Sequence, residues 1–379
     1  MWTLVAHQKE LLTVTEQLTG TSTYYLDTEF DSRVDRTTLC LLQLHAEGRT
    51  FLIDTLAIGD ISSLGATLGR RGVTWTLHGA HQDIPLLTRA LRLSEPPRLF
   101  DTQIAWGLIS PEPATSFAYL TYRLLGTRHS KQHQTDDWTR RPLSNSQLSY
   151  AAHDVNSLPP MHASILRRIT ELGREAAVHD ACFDILCGSS DTSESLTVES
   201  FRNAWQLEPS GQIALSSLIE WYNALSPGER EQAFESKLLW SLANRLPTTP
   251  EALRQVRGLP RLPPAQQEHI ISLIQQARSC PPTAAQLIEP PPYATFERLQ
   301  LDAWLEYVRT LACAKAEVSK ELVLGGKRLR QLKELVLKEG FEGLTPASLR
   351  RTLNSWQYSL IGEALCWAAG RIAAPASLG

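Results

Sequence analysis

The sequence predicts an α/β (α+β) fold: a mixed sheet flanked by helices, followed by two small all-helical domains. Three observations predict it. The 379 residues exceed what one hydrophobic core usually serves, so two or three domains are expected. Four short runs rich in aromatic and branched residues lie in the first 77 positions, and beyond about residue 200 no strand pattern returns. Two stretches with little apolar periodicity, one dense in serine and acid and one dense in proline, divide the chain as linkers. The expected boundaries are 1–188 for the α/β domain, 189–206 for the first linker, 207–280 for one helical domain, 281–294 for the proline-rich linker and 295–379 for the second helical domain.

The strand runs are 24–30, 39–44, 50–54 and 73–77. Their short connections favour antiparallel neighbours. Segment 60–70 and the segment after Asp83 have helical spacing, as does 148–172, where Pro159 and Pro160 are expected to break or bend the helix. Further on, 213–224, 233–246, 251–256 and 265–277 form one helical set, and 295–315, 329–339, 345–353 and 360–374 another.

Hydrophobic residues make up 42% of the chain and charged residues 20%, which excludes a disordered or membrane class. Residues 1–13 lack the basic start and apolar run of a signal peptide, and no run reaches membrane-spanning length. Six scattered cysteines, without paired spacing or histidine partners, fit a reduced cytoplasmic compartment. A net charge of −3 gives no global signal for nucleic acid, which leaves local patches.

Asp27 and Glu29 are two apart on a strand, so both side chains leave one face and can converge on a hard cation. Such a pair also suits a solvent-exposed strand face, although Tyr24, Tyr25, Leu26 and Phe30 make this run apolar enough to be central. Asp83, closing the segment that begins at His78, opens or sits early in a helix, where the macrodipole alone favours an acid. His78 and His81 raise zinc as a reading, but with Asp83 they lack regular ligand spacing. Tyr150 and Asp154 are four apart on one helical face, the spacing of a site or of an ordinary surface pair.

Taken together and in this order, these elements resemble the DEDD superfamily of 3′-5′ exonucleases, the DnaQ-like or ribonuclease H-like group. Within it they resemble the subclass with tyrosine in the last motif, and there the ribonuclease D family. Asp27, Thr28, Glu29 and Phe30 match the first motif, 78–83 the second, and Tyr150 with Asp154 the third. Residues 100–105, Lys131, Asp137, Trp138, 141–143 and 147–152 extend the match over most of 20–170. The resemblance implies a ribonuclease H-like sheet and two divalent ions, Mg²⁺ or Mn²⁺, held by Asp27, Glu29, Asp83 and Asp154. Tyr150 would position the attacking water, and nucleoside 5′-monophosphates would leave RNA 3′ ends during maturation of transfer RNA precursors and other structured RNAs. The helical sets resemble HRDC nucleic-acid-binding modules, the second only loosely. Two departures stand out: Thr37, Thr38 and Leu39 replace an aromatic-proline segment, and Trp221 to Ala224 replace a basic stretch.

Outside the acids, Lys131 is a candidate for RNA contact. Lys327, Arg328 and Arg330, with Lys333 and Lys338, form either a phosphate-binding patch or a solvated helix face. Nothing demands more than a monomer. A DNA exonuclease of the same superfamily and a catalytically silent RNA-binding protein are the rival readings.

Overall fold

The computed structural model describes residues 2–31, 37–112, 114–128, 133, 136–187, 196–201, 203–225, 234–279, 288 and 295–373. Its sheet has six strands: β1 Trp2–Val5, β2 Thr23–Asp31, β3 Thr38–Ala46, β4 Arg49–Asp54, β5 Thr74–Leu77 and β6 Arg98–Asp101. They lie in the order β1-β4-β3-β2-β5-β6. The β2–β3 and β3–β4 pairs are antiparallel, whereas β1–β4, β2–β5 and β5–β6 are parallel. The β3–β4 hairpin turns on Glu47 and Gly48, both at positive φ (50° and 71°), the two-residue turn whose twist suits flanking strands. All four expected strands are present. β1 and β6 are additional.

β2 lies inside the sheet between β3 and β5, and this sets the stage for chemistry. Tyr24, Leu26 and Thr28 are buried on one side; Tyr25, Asp27 and Glu29 alternate with them and are half-buried. The latter face looks onto the helix Asn145–Glu171, where the Tyr25 hydroxyl meets His162 Nδ1 at 3.2 Å. That helix starts at a capping box made by Ser144 and Gln147. Of the break or bend expected at Pro159 and Pro160, there is no break: the helix runs through both. Each proline removes one i→i−4 donor, at a cost of about 3 kcal/mol or more in a helix interior. Leu148, Ala151, Val155, Leu158, Met161, Ile165 and Ile169 are all buried on either side of the prolines without change of phase. Burial of that continuous stripe against the sheet outweighs the lost hydrogen bonds.

Contacts divide the chain into two compact units. One joins Met1–Ser32, Thr37–Gly188 and Thr295–Gly379; the other holds Ser189–Ala294. The last helical set, expected as a domain of its own, thus shares a core with the sheet. Val308, Ala312, Leu349, Ile361 and Leu365 belong to the same buried cluster as Leu26, Leu42 and Ile165. Its partner surface is the helix Glu175–Leu186, which buries Ala177, Val178, Ala181, Cys182 and Leu186, and whose Asp184 accepts from Trp356 Nε1 at 3.0 Å. A helical period shows that a face is buried but not against what.

In the second unit the helices Pro209–Ala224, Lys237–Arg245, Pro250–Arg254 and Pro264–Ser279 enclose a separate core around Leu215, Leu218, Leu239, Leu242, Ile270 and Ile274. Trp221 packs beside Phe234 and His269, with ring centroids 6.1 and 6.0 Å away. Among the described residues no helix is long and apolar enough to cross a membrane.

Candidate active site

Asp27 and Glu29 project from β2 toward the helix Asn145–Glu171, which supplies Asp154. One carboxylate oxygen from each of these three residues lies within 4.8 Å of the other two. Asp83 is the first residue of the helix Asp83–Ala90 and accepts a hydrogen bond from the Thr28 hydroxyl, the residue between the two strand acids. It stands outside the tight group of three but lines the same cavity of about 500 Å³, together with Tyr150, Phe117 and Gln103.

Burial dominates the electrostatics. It pushes the Asp27 carboxyl well above the usual range, reinforced by the charges of Asp154, Asp83 and Glu29. Burial, then the charges of Asp154 and Asp83, raise Glu29 to about 9, opposed by Gln43 Nε2 at 3.4 Å. Asp83 rises to about 6, again through burial, with the Thr28 hydrogen bond pulling the other way. Acids this close in a half-buried cavity either hold protons at neutral pH or share a cation. Oxygen-only ligands suit a hard divalent ion, so the donor set fits the expected metal chemistry.

The Tyr150 hydroxyl is hydrogen-bonded to Asp154, one helical turn on. Burial and the charges of Asp154, Glu29 and Asp27 raise its pKa further above the ordinary tyrosine value. It is therefore a proton donor at neutral pH and cannot serve as a base. Its ring sits near His133 and Trp138, with centroids 5.6 and 6.4 Å away. His133 Nδ1 donates to Asp136 at 2.7 Å, and its Nε2 lies 2.7 Å from the Ser146 hydroxyl. Asp136 also lines the cavity. Sequence reasoning did not single out this acid or its tie to His133; the available signal was its place beside Asp137 and Trp138. Arg141 fastens the same turn. Its guanidinium grips Asp54 through Nε at 2.6 Å and Nη2 at 2.8 Å, and Nη1 donates to the Trp138 carbonyl at 2.7 Å.

Zinc finds no support at His78. Its Nε2 lies 3.1 Å from the Thr115 carbonyl and its Nδ1 2.9 Å from the Thr102 hydroxyl, and burial lowers its pKa so that the ring stays neutral. Both nitrogens are committed. The basic cluster on the helix Gly326–Glu339 divides in two. Arg328 is spent on Gln331 Oε1 (2.9 Å), the Thr352 carbonyl (3.0 Å) and Asn354, and Lys333 pairs with Asp302 at 2.5 Å. Lys327, Arg330 and Lys338 are exposed. Lys131 lies outside the described residues.

Known proteins match both the sequence and the fold. A family model described as a 3′-5′ exonuclease matches residues 3–170, the stretch holding the sheet and all four acids. Ribonuclease D of Pseudomonas paraeruginosa is 28% identical over 351 residues, covering 90% of each chain. Ribonuclease D of Haemophilus influenzae is 30% identical over 285 residues, covering 73% of this chain and 70% of its own. Among solved structures, Escherichia coli RNase D, described as an exoribonuclease involved in structured RNA processing, shares the fold. Its TM-score is 0.71 at 23% identity, over 98% of this chain and 99% of that one. The catalytic core of Trypanosoma brucei RRP6 shares it more distantly, with a TM-score of 0.55 at 19% identity over 74% and 80% of the two chains. A relative at 30% identity across more than two thirds of its length, together with the exonuclease match over the acid-bearing sheet, means that this chain belongs to the ribonuclease D family of 3′-5′ exoribonucleases.

Proposed function

We propose that this exoribonuclease trims the 3′ ends of transfer RNA precursors and other structured RNAs, using two divalent ions, Mg²⁺ or Mn²⁺, held by Asp27, Glu29, Asp83 and Asp154. The observation that carries the reading is the convergence of three carboxylates within 4.8 Å of one another, with Asp83 on the same cavity wall. When bound, such ions stabilise charge on the phosphoryl oxygens and lower the pKa of a nearby water. The protein's own part follows from its geometry. Asp27 lies on β2 and feels the charges of Asp154, Asp83 and Glu29 together, so it sits among the other acids. Tyr150 keeps its proton, uses it in the hydrogen bond to Asp154, and orients the attacking water by accepting a hydrogen bond at its hydroxyl oxygen. Phe117 and Gln103 form the wall against which the terminal nucleoside lies, in a cavity of about 500 Å³. Water adds to phosphorus, the P–O3′ bond breaks, and a nucleoside 5′-monophosphate leaves a chain ending in a 3′-hydroxyl.

The exposed Lys327 and Arg330 remain the candidates for backbone phosphate outside the cavity. Arg328 would act by holding their helix in place. The enzyme works as a monomer in the cytoplasm, which suits the free thiols of all five described cysteines.

The test is an assay of a 3′-tailed RNA hairpin against single-stranded DNA of the same sequence, in Mg²⁺, Mn²⁺ or EDTA. The RNA tail is expected to shorten stepwise to the stem, releasing 5′-monophosphates, with no cleavage in EDTA. Equal or faster shortening of the DNA would overturn the RNA reading. Binding without shortening would mark a silent RNA-binding protein.

A further inference from the structure

Asp101 at the end of β6 is fully buried and makes no contact with the cavity, yet its carboxylate is unusually well occupied. Oδ1 accepts from Gln103 N at 2.8 Å and Ile104 N at 3.2 Å, capping the helix Thr102–Gly107. The same oxygen accepts from Gly79 N at 3.1 Å, and Oδ2 accepts from Ala80 N at 2.8 Å. The last two donors belong to the short loop between β5 and the helix that Asp83 opens. One carboxylate therefore joins two backbone segments, one of which carries Asp83 three residues on.

The rest of the contact supports the same junction. His78, at the start of the loop, is fixed between Thr102 and Thr115. The far end of the helix Thr102–Gly107 is held as well: Ser319 N donates to the Gly107 carbonyl at 2.7 Å, and Arg174 Nη1 donates to the Leu108 carbonyl at 2.6 Å. The helix is a fixed base, and Asp101 is the clamp that ties the Asp83 loop to it. We infer that Asp101 is a positioning residue for Asp83, setting where that carboxylate stands in the cavity and so the cation affinity of the site. A helix cap alone would need only the bonds to Gln103 and Ile104. The bonds to Gly79 and Ala80 have no bearing on the cap and act only on the loop.

The inference rests on reading Asp83 as a metal-holding carboxylate, and the variants separate the two. In the full-length protein, Asp101→Ser keeps an N-cap residue but is too short to serve both segments. Asp101→Asn has the same shape but turns an NH₂ toward Ala80 N–H. Asp184→Asn, in the partner surface of the C-terminal helices, is the control for lost stability. Mn²⁺ binding is followed by the electron paramagnetic resonance of the free ion, and kcat and KM on a short RNA are followed at both unsaturating and saturating Mn²⁺.

Both Asp101 variants are expected to raise the Mn²⁺ midpoint about 10- to 100-fold, the scale of losing a group that orients a ligand. They should lower kcat at unsaturating metal and leave KM for RNA unchanged, while Asp184→Asn alters neither. Unchanged Mn²⁺ midpoints in both Asp101 variants would overturn the inference, as would an equal shift in Asp184→Asn at matched loss of melting temperature. Full activity and Mn²⁺ binding in Asp83→Asn would instead overturn the reading of Asp83.

Discussion

Asp27→Asn is expected to lower RNA shortening by at least about 100-fold, the scale of removing one group that stabilises charge in a transition state, and to raise the melting temperature of the metal-free protein at pH 8. The two effects have one cause. Asp27, Glu29 and Asp83 all have folded-state pKa values above their ordinary ones, so folding takes up protons at this site. The stability they contribute is complete below the unfolded carboxylate range near pH 4. It drains away as pH climbs through about 6 at Asp83 and about 9 at Glu29. At pH 8 folding of the metal-free wild type requires Asp27 to take up a proton or bury its charge, a cost that the asparagine variant lacks. Saturating Mn²⁺ should therefore stabilise the wild type more at pH 8 than at pH 5, and stabilise the variant less than the wild type. Scanning calorimetry at the two pH values, with EDTA or Mn²⁺, measures this. A variant less stable than wild type in EDTA at pH 8 would contradict the account.

Removal of residues 295–379 is expected to unfold the exonuclease unit rather than release an active one. The last helical set buries Val308, Ala312, Val323, Leu324, Leu349, Trp356 and Leu365 in the cluster that holds the sheet. Losing a single large aromatic from such a core costs about 3–5 kcal/mol, and whole domains are stable by only about 5–15 kcal/mol. Truncation would expose several such positions at once on the helix Glu175–Leu186 and leave Asp184 without Asn354 and Trp356. Arg174 would also lose the Ala316 carbonyl, 2.5 Å from its Nη2. Circular dichroism with an activity assay on a short RNA checks this. A soluble, cooperatively folding fragment with near-normal activity would show that the set is dispensable.

The sequence carried the parts of this protein that depend on local pattern. Short runs rich in aromatic and branched residues located β2, β3, β4 and β5 within one or two residues, and helical spacing located most helices. Asp27 and Glu29 could be paired from strand geometry alone, and Tyr150 with Asp154 from helical geometry. The long-range facts were not legible. Whether Asp83 joins the other acids depends on a loop closed by Asp101, and only pairing of β5 with β6 brings these together. Asp136 could not be distinguished from Asp137 by spacing, because its role follows from the contact with His133. The apolar periods of the helices after residue 295 gave no clue that they face the sheet unit. The basic cluster read as one patch because sequence shows charge but not partners, and Arg328 and Lys333 turned out to be engaged within their own unit. At Pro159 and Pro160, where a break or a bend is expected, the helix does not break, because a buried stripe extends on both sides of the prolines.

The central claim is that Asp27, Glu29, Asp83 and Asp154 together hold divalent ions. Anomalous diffraction from crystals of the full-length protein soaked in Mn²⁺ tests it most directly. Two peaks are expected in the cavity, with Asp27, Glu29, Asp83 and Asp154 supplying the ligands. Mn²⁺ peaks confined to other acidic surfaces, with none in the cavity at saturating metal, would contradict it.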